Sequence, residues 1–101
     1  MKIYRIASKT ITLYQGQSVH NKGSKYFTPE KEWARQFTQS GQDKEIKTIT
    51  FPEDAIYKKN PLPFATSEND FDVAMAEAKA KGFRAFWLDE GVGEPNSVYM
   101  L

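Results

Sequence analysis

The sequence predicts a single α+β domain, residues 1–101, in which two helices pack against a mixed or antiparallel sheet. Three observations lead there. Short stretches rich in Ile, Tyr, Phe and Thr recur along all 101 residues and are separated by Gly, Pro and polar clusters. Only two segments carry helix-start signals followed by apolar residues at helical spacing. The last two apolar stretches are joined by a short turn with Gly91, Gly93 and Pro95, which makes them an antiparallel hairpin.

Taken in order, Lys2–Ile6 reads as a first strand and Ile11–Tyr14 as a second β-like stretch, either a strand or part of the loop after strand one. Gln15–Ser24 is polar, punctuated by Gly16 and Gly23, and reads as a loop. Lys25-Tyr26-Phe27 is briefly extended. Thr28 then suits an N-cap and Pro29 a first helical position, while Trp33, Ala34 and Phe37 form one apolar stripe. This predicts a helix over Pro29 to about Gln39, with Gly41 as its stop. Glu45–Phe51 reads as a strand ended by Pro52, and Ala55-Ile56-Tyr57 as a further short extended piece. Lys58–Thr66 holds Pro61 and Pro63 and reads as a loop. Ser67 and Asp70 resemble a capping box, and Phe71, Ala74, Met75 and Ala78 recur at i, i+3, i+4 and i+7. Gly82 suits the position just past that helix. Phe83–Leu88 is a nearly continuous apolar run, hence a central strand covered on both faces. Ser97–Leu101 closes the chain as a last strand.

Composition narrows the function classes. The formal net charge is +1, from 14 basic and 13 acidic residues, so no bulk cationic surface for nucleic acid is indicated. Lys22, Lys25, Lys58 and Lys59 fall in loops and read as solvated. With no cysteine, thiol nucleophiles and thiolate metal sites are excluded, and the chain fits a cytoplasmic setting. No signal peptide is visible and no apolar run approaches a membrane span. His20, the one histidine, stands in a polar loop with no partner set for a triad, and no residues show metal-ligand spacing. The glycines match neither a dinucleotide fingerprint nor a P-loop.

Three features remain as candidates. Arg5 lies mid-strand, a position where a cation either faces water on an edge or binds an anion. Tyr26-Phe27-Thr28 puts two aromatics and a hydroxyl at a strand-to-helix junction, which serves a core and a cap equally well. Asp89, Glu90 and Glu94 cluster in the terminal turn.

Four blocks give these features a common context: Ile3-Tyr4-Arg5-Ile6, the run from Lys25-Tyr26-Phe27-Thr28-Pro29 through Trp33-Ala34-Arg35-Gln36-Phe37, the join Ala78–Trp87, and Asn96-Ser97-Val98-Tyr99-Met100. Together they resemble the small ADP-ribosyltransferase-like domains of compact toxins, effectors and phage-encoded proteins. The resemblance implies a split sheet and NAD as co-substrate. Arg5 would hold the NAD ribose or phosphate, since a guanidinium binds phosphate oxygens bidentately. Tyr26, Phe27 and Thr28 would line the nicotinamide site. Glu90, or second Glu94, would be the catalytic carboxylate that stabilises the oxocarbenium-like transition state. Two departures accompany it. The usual acidic position near the start of the last strand holds Asn96 and Ser97. The glycine expected after the first-strand motif is Ile6, and a competing alignment places that motif at Leu13-Tyr14-Gln15-Gly16, with Gln15 in the basic position.

Two functions follow from the resemblance: an NAD-dependent ADP-ribosyltransferase modifying a macromolecular target, or a catalytically inactive relative that binds a host protein, as a phage or mobile-element inhibitor of defence would. A third reading is an unrelated adaptor domain. A protein target, no membrane and a monomer or small oligomer complete the expectation. The transferase reading requires Arg5, Tyr26 and an acidic side chain to line one cleft.

Overall fold

The computed structural model describes residues 9–20, 22–63, 68–89 and 94–101, and the side chains of all of these except 59–63 and 68. The predicted first strand, with Arg5, and the Ser67 cap lie outside the described residues, as do Glu90 and the centre of the terminal turn.

Strand β1 (Thr10–Gly16) pairs antiparallel with β3 (Ile46–Pro52), setting Leu13 against Ile49 and Gln15 against Lys47. The second sheet has the order β2-β6-β5-β4, from Tyr26–Phe27, Ser97–Met100, Ala85–Asp89 and Ile56–Pro63. β5 and β6 form the expected antiparallel pair, while β4 runs parallel to β5 through the connecting helix α2 (Glu68–Ala80). The architecture is therefore α+β with two α-helices among the described residues and a mixed sheet in two parts. Among the described residues a single bridge, Tyr14 with Thr28, joins the parts.

Both sheets contribute to the main core. Leu13 and Phe51 come from the first, and Phe27, Ile56, Ala85 and Val98 from the second. A second cluster lies under α2, where Phe71, Met75 and Ala78 meet Phe86 and Leu88. The helical period read in the sequence thus faces β5. The helix ends as its chemistry dictates: Phe83 N donates to Ala78 O and Gly82 N to Lys79 O, both at 3.0 Å. Gly82 takes φ 86°, the left-handed turn of this cap, and Phe83 folds back onto the cluster holding Ala78.

Three elements differ from expectation. The first helix, α1, covers only Lys31–Arg35, because Glu30 stays extended (φ −102°, ψ 105°) and takes the N-cap position. Thr28 acts two residues earlier than a helix cap, its hydroxyl accepting Glu30 N at 3.1 Å. Beyond Arg35 the bonds tighten to three-residue turns, Phe37 N to Ala34 O and Thr38 N to Arg35 O. Of the predicted apolar stripe only Ala34 is buried, and Phe37 is half exposed. The segment 58–63, expected to be loop, is strand. β4 lies at the sheet's edge with its register broken between Tyr57 and Leu62, where Pro61 and Pro63 cost no central ladder bonds. Finally, β1 extends through Gln15 and Gly16, which had read as loop.

Gly16 is where α1 rests on β1. A Cβ there would overlap the Ala34 carbonyl oxygen and come within 2.9 Å of the Phe37 carbonyl carbon, both fixed backbone atoms. Gly82 has open space around it, so only its positive φ resists a side chain. Gly82→Ala is expected to cost about 1–2 kcal/mol. Gly16→Ala should cost more than about 3 kcal/mol, since α1 must lift off the strand. Urea unfolding of the two variants checks the order, and equal costs would mean that α1 is not seated on Gly16.

Candidate functional site

The joint between the two sheets is made by few atoms. Tyr14 N donates to Thr28 O at 2.7 Å and Thr28 N returns the bond to Tyr14 O at 2.9 Å. One residue along β1 the backbone ladder stops, and a side chain replaces it. Gln15 Nε2 donates to Ser24 O and to Tyr26 O, each at 2.8 Å. The carbonyl between them, Lys25 O, points the other way and accepts Met100 N at 2.9 Å. Tyr26 N is held by the Ser24 hydroxyl at 3.2 Å. Gln17 Nε2 donates to Gln15 Oε1 at 2.7 Å, which fixes which end of the Gln15 amide faces the carbonyls. Gln15 is 7% exposed and has spent both its N–H donors on the protein itself.

Around this joint stand three of the residues that the sequence singled out, Tyr26, Phe27 and Thr28. Tyr26 is 46% exposed and meets Tyr99 edge-on, ring centroids 5.0 Å apart. Phe27 alternates to the opposite face and is a core residue, packed with Leu13 and Val98 and with the Lys47 ammonium 5.9 Å above its ring. Thr28 is buried with its hydroxyl engaged by Glu30 N. Thr28 and Ser97, both buried, come next in the β2–β6 register after Phe27 and Val98. The structure therefore gathers Gln15, Tyr26, Thr28 and Ser97 at one joint. Glu94 is exposed before the start of β6. Tyr26 pairs with Tyr99, five positions further on, so the carboxylate is up to roughly 16 Å away along the chain. Arg5 and Glu90 lie outside the described residues.

Gln17 was not singled out by the sequence reading, and Gln15 entered only through the competing motif alignment. The signal was Gly16: a glycine following Leu-Tyr-Gln marks a strand approached closely by another backbone.

His20 is exposed at the mouth of a depression of about 560 Å³, lined also by Ser18, Gln36, Phe37, Thr38 and Gln39. Its floor is shaped by the turn after α1, which charged groups hold in place. Arg35 reaches Asp43 at 2.6 Å, Glu32 at 3.3 Å and the Gly41 carbonyl at 2.7 Å, and Lys31 also meets Asp43. The Glu45 carboxylate accepts the Ser40 hydroxyl and the backbone N–H groups of Ser40 and Gln42. The bond from Arg35, then that from Lys31, holds the Asp43 carboxyl below its ordinary range, and the Ser40 hydroxyl does the same for Glu45. Among the described residues, no group of three His, Asp or Glu side chains is arranged to hold a metal ion.

Both depressed carboxyls act in one direction. Their contribution to stability is present above the unfolded carboxylate range, about pH 4, and is lost as pH falls through the lower folded values. Asp43→Asn is expected to flatten the acid limb of melting temperature against pH by lowering the neutral plateau slightly, with little change at the acid end where the parent carboxyl is already protonated. An unaltered acid limb would place the acid sensitivity elsewhere.

The Gln15 amide makes a sharper test. Gln15→Leu keeps the bulk and strands two carbonyls, at an expected cost of about 1–3 kcal/mol. Gln15→Glu turns two donors into acceptors facing those carbonyls, which raises the new carboxyl's pKa in the folded state. Its stability should therefore be greatest at low pH and decline as pH rises, opposite to the rest of the protein. A Gln15→Glu variant with the parent's pH profile would mean that the amide does not bond these carbonyls. No family model, curated protein or solved structure matches this chain in sequence or fold comparison.

Proposed function

We propose that the chain is an ADP-ribosyltransferase-like domain that has left catalysis and acts by binding another protein, in the manner of a phage or mobile-element inhibitor of a host system. The observation that carries this reading is the state of Gln15. Its strand leads through Leu13-Tyr14-Gln15-Gly16 to a direct pairing with the Tyr26-Phe27-Thr28 segment, in the order and company that the family resemblance implies for the first-strand motif. At the basic position of that motif stands a neutral amide whose donors are already used on Ser24 and Tyr26. The acidic position at the start of the last strand holds Asn96 and Ser97, and Ser97 is buried. Among the described residues, these two motif positions supply neither a cation for the pyrophosphate nor a carboxylate for the developing positive charge, the two electrostatic elements on which the reaction depends.

The competing reading is an NAD-dependent transferase using Arg5, Tyr26 and Glu90 or Glu94. The two readings separate on one ligand. A co-substrate that binds only the folded state raises its melting temperature by mass action, by an amount set by concentration over dissociation constant. The binding reading predicts no shift in millimolar NAD and no release of nicotinamide, together with a stoichiometric protein partner whose mass is unchanged by the encounter. A clear NAD-dependent shift, with turnover abolished by Glu90→Gln, would reverse the assignment.

A further inference from the structure

Among the described residues, the outermost strands of the two sheets are built differently. On one side β4 carries Pro61 and Pro63 and a break in register, features that blunt strand-to-strand pairing. On the other side lies β3, Ile46-Lys47-Thr48-Ile49-Thr50-Phe51-Pro52, with a regular register to β1 along its whole length and β-branched residues at four of its seven positions. The hydrogen-bonding phase of the β1–β3 ladder is fixed at both ends, by Gln17 N to Glu45 O and Glu53 N to Lys9 O. Bonded pairs alternate in an antiparallel ladder, so Lys47, Ile49 and Phe51 face β1. The N–H and C=O groups of Thr48 and Thr50, and those of Ile46, therefore point outward. Thr48 and Thr50 are both exposed.

We infer that this edge pairs with β3 of a second copy of the chain, antiparallel about a two-fold axis at Ile49. That register is self-complementary. It sets Thr48 opposite Thr50 of the second copy and Thr50 opposite its Thr48, each pair exchanging both main-chain bonds from the outward-facing groups. Threonines directly opposite one another are a favourable cross-strand pair. Lys47, the one charged residue of β3, falls opposite Phe51 rather than another lysine, so no like charges meet. Ile49 meets its own copy on the face that carries Leu13 and Phe51. The join consists of one seven-residue strand edge, whereas stable complexes bury roughly 1,200 Å² or more, so the association expected is weak and concentration-dependent. This inference does not rest on the partner-binding reading of the Gln15 joint, which uses the opposite edge of β1.

Sedimentation equilibrium between roughly 10 μM and 1 mM, a span covering weak complexes, reads the mass directly. Amide exchange at Thr48 and Thr50 over the same range reads the edge itself. The expected result is a mass rising toward the dimer with concentration, accompanied by slower exchange at these two amides. Thr50→Pro removes an outward donor without touching the β1 ladder and is expected to stay monomeric. Should that variant fail to fold, the double variant Thr48→Lys, Thr50→Lys leaves the backbone intact and sets like charges opposite across the join, with the same expected loss of dimer. A monomeric mass throughout the range overturns the inference. Concentration-independent protection of both amides also overturns it, because the edge is then covered within one chain. Dimerisation of the lysine variant at the parent's strength overturns it as well.

Discussion

The fold depends on how two separately hydrogen-bonded sheets are made into one body. Among the described residues, backbone does this at the Tyr14–Thr28 pair, and a buried primary amide extends it by one step. A side-chain amide is chemically a peptide group on a tether, so Gln15 supplies the N–H donors that β1's own backbone no longer offers to β2 once the strands diverge. Without it the carbonyls of Ser24 and Tyr26 would be left facing a poorly hydrated gap, where an unpaired acceptor is costly. Across the joint, Leu13 and Phe51 interlock with Phe27 and Val98, so apolar packing supplies the attraction and the amide sets the register.

This arrangement explains why neighbouring features take the form they do. Gly16 must lack a side chain because α1 descends onto β1 immediately after the amide, with the Ala34 carbonyl over the glycine. The helix is short because its N-terminus is delayed by the extended Pro29-Glu30 segment that leaves the Thr28 bridge, and its C-terminus is drawn into turns that return the chain toward β3. The ion-pair cluster of Arg35, Asp43 and Lys31 spans that return. These exposed charges add little individually to stability, yet they fix the direction in which the turn leaves the helix. Gln17 then links the two regions, its backbone N–H on Glu45 O and its side chain on Gln15.

Where local chemistry alone decides an element, the sequence was a sufficient guide. The spacing of Phe71, Met75 and Ala78, closed by Gly82, identified α2 and the face it turns to β5, because period and cap are both local properties. The terminal hairpin was legible for the same reason. The segment 58–63 was not, since two prolines exclude a central strand but not an edge one, and edge position is a property of the assembled sheet. Helix α1 read too long because Trp33 and Phe37 have helical spacing. Their rings do meet, 6.1 Å apart, though on the surface rather than over the core. At the joint, a cation in a strand outranked an amide at the head of a loop-like stretch, which directed attention to Arg5. What distinguishes Gln15 is the position of two carbonyls nine and eleven residues away in sequence, and no local pattern carries that.

The choice of amide over cation at this position has a physical consequence that bears on function. A guanidinium carries five donors and a charge that cannot be shed, so in a site as enclosed as that of Gln15 it would need an anion beside the two carbonyls to offset its lost hydration. Such a residue makes a joint that is complete only when an anionic ligand is present. Glutamine needs no such supplement: two donors meet two carbonyls, its oxygen meets Gln17, and no charge is left over. The joint is thus satisfied by the chain alone, and among the described side chains no buried polar atom lacks a hydrogen-bond partner. Around this closed joint the described chain keeps Tyr26 exposed on one side and the outward main-chain edge of β3, with Thr48 and Thr50, exposed on the other.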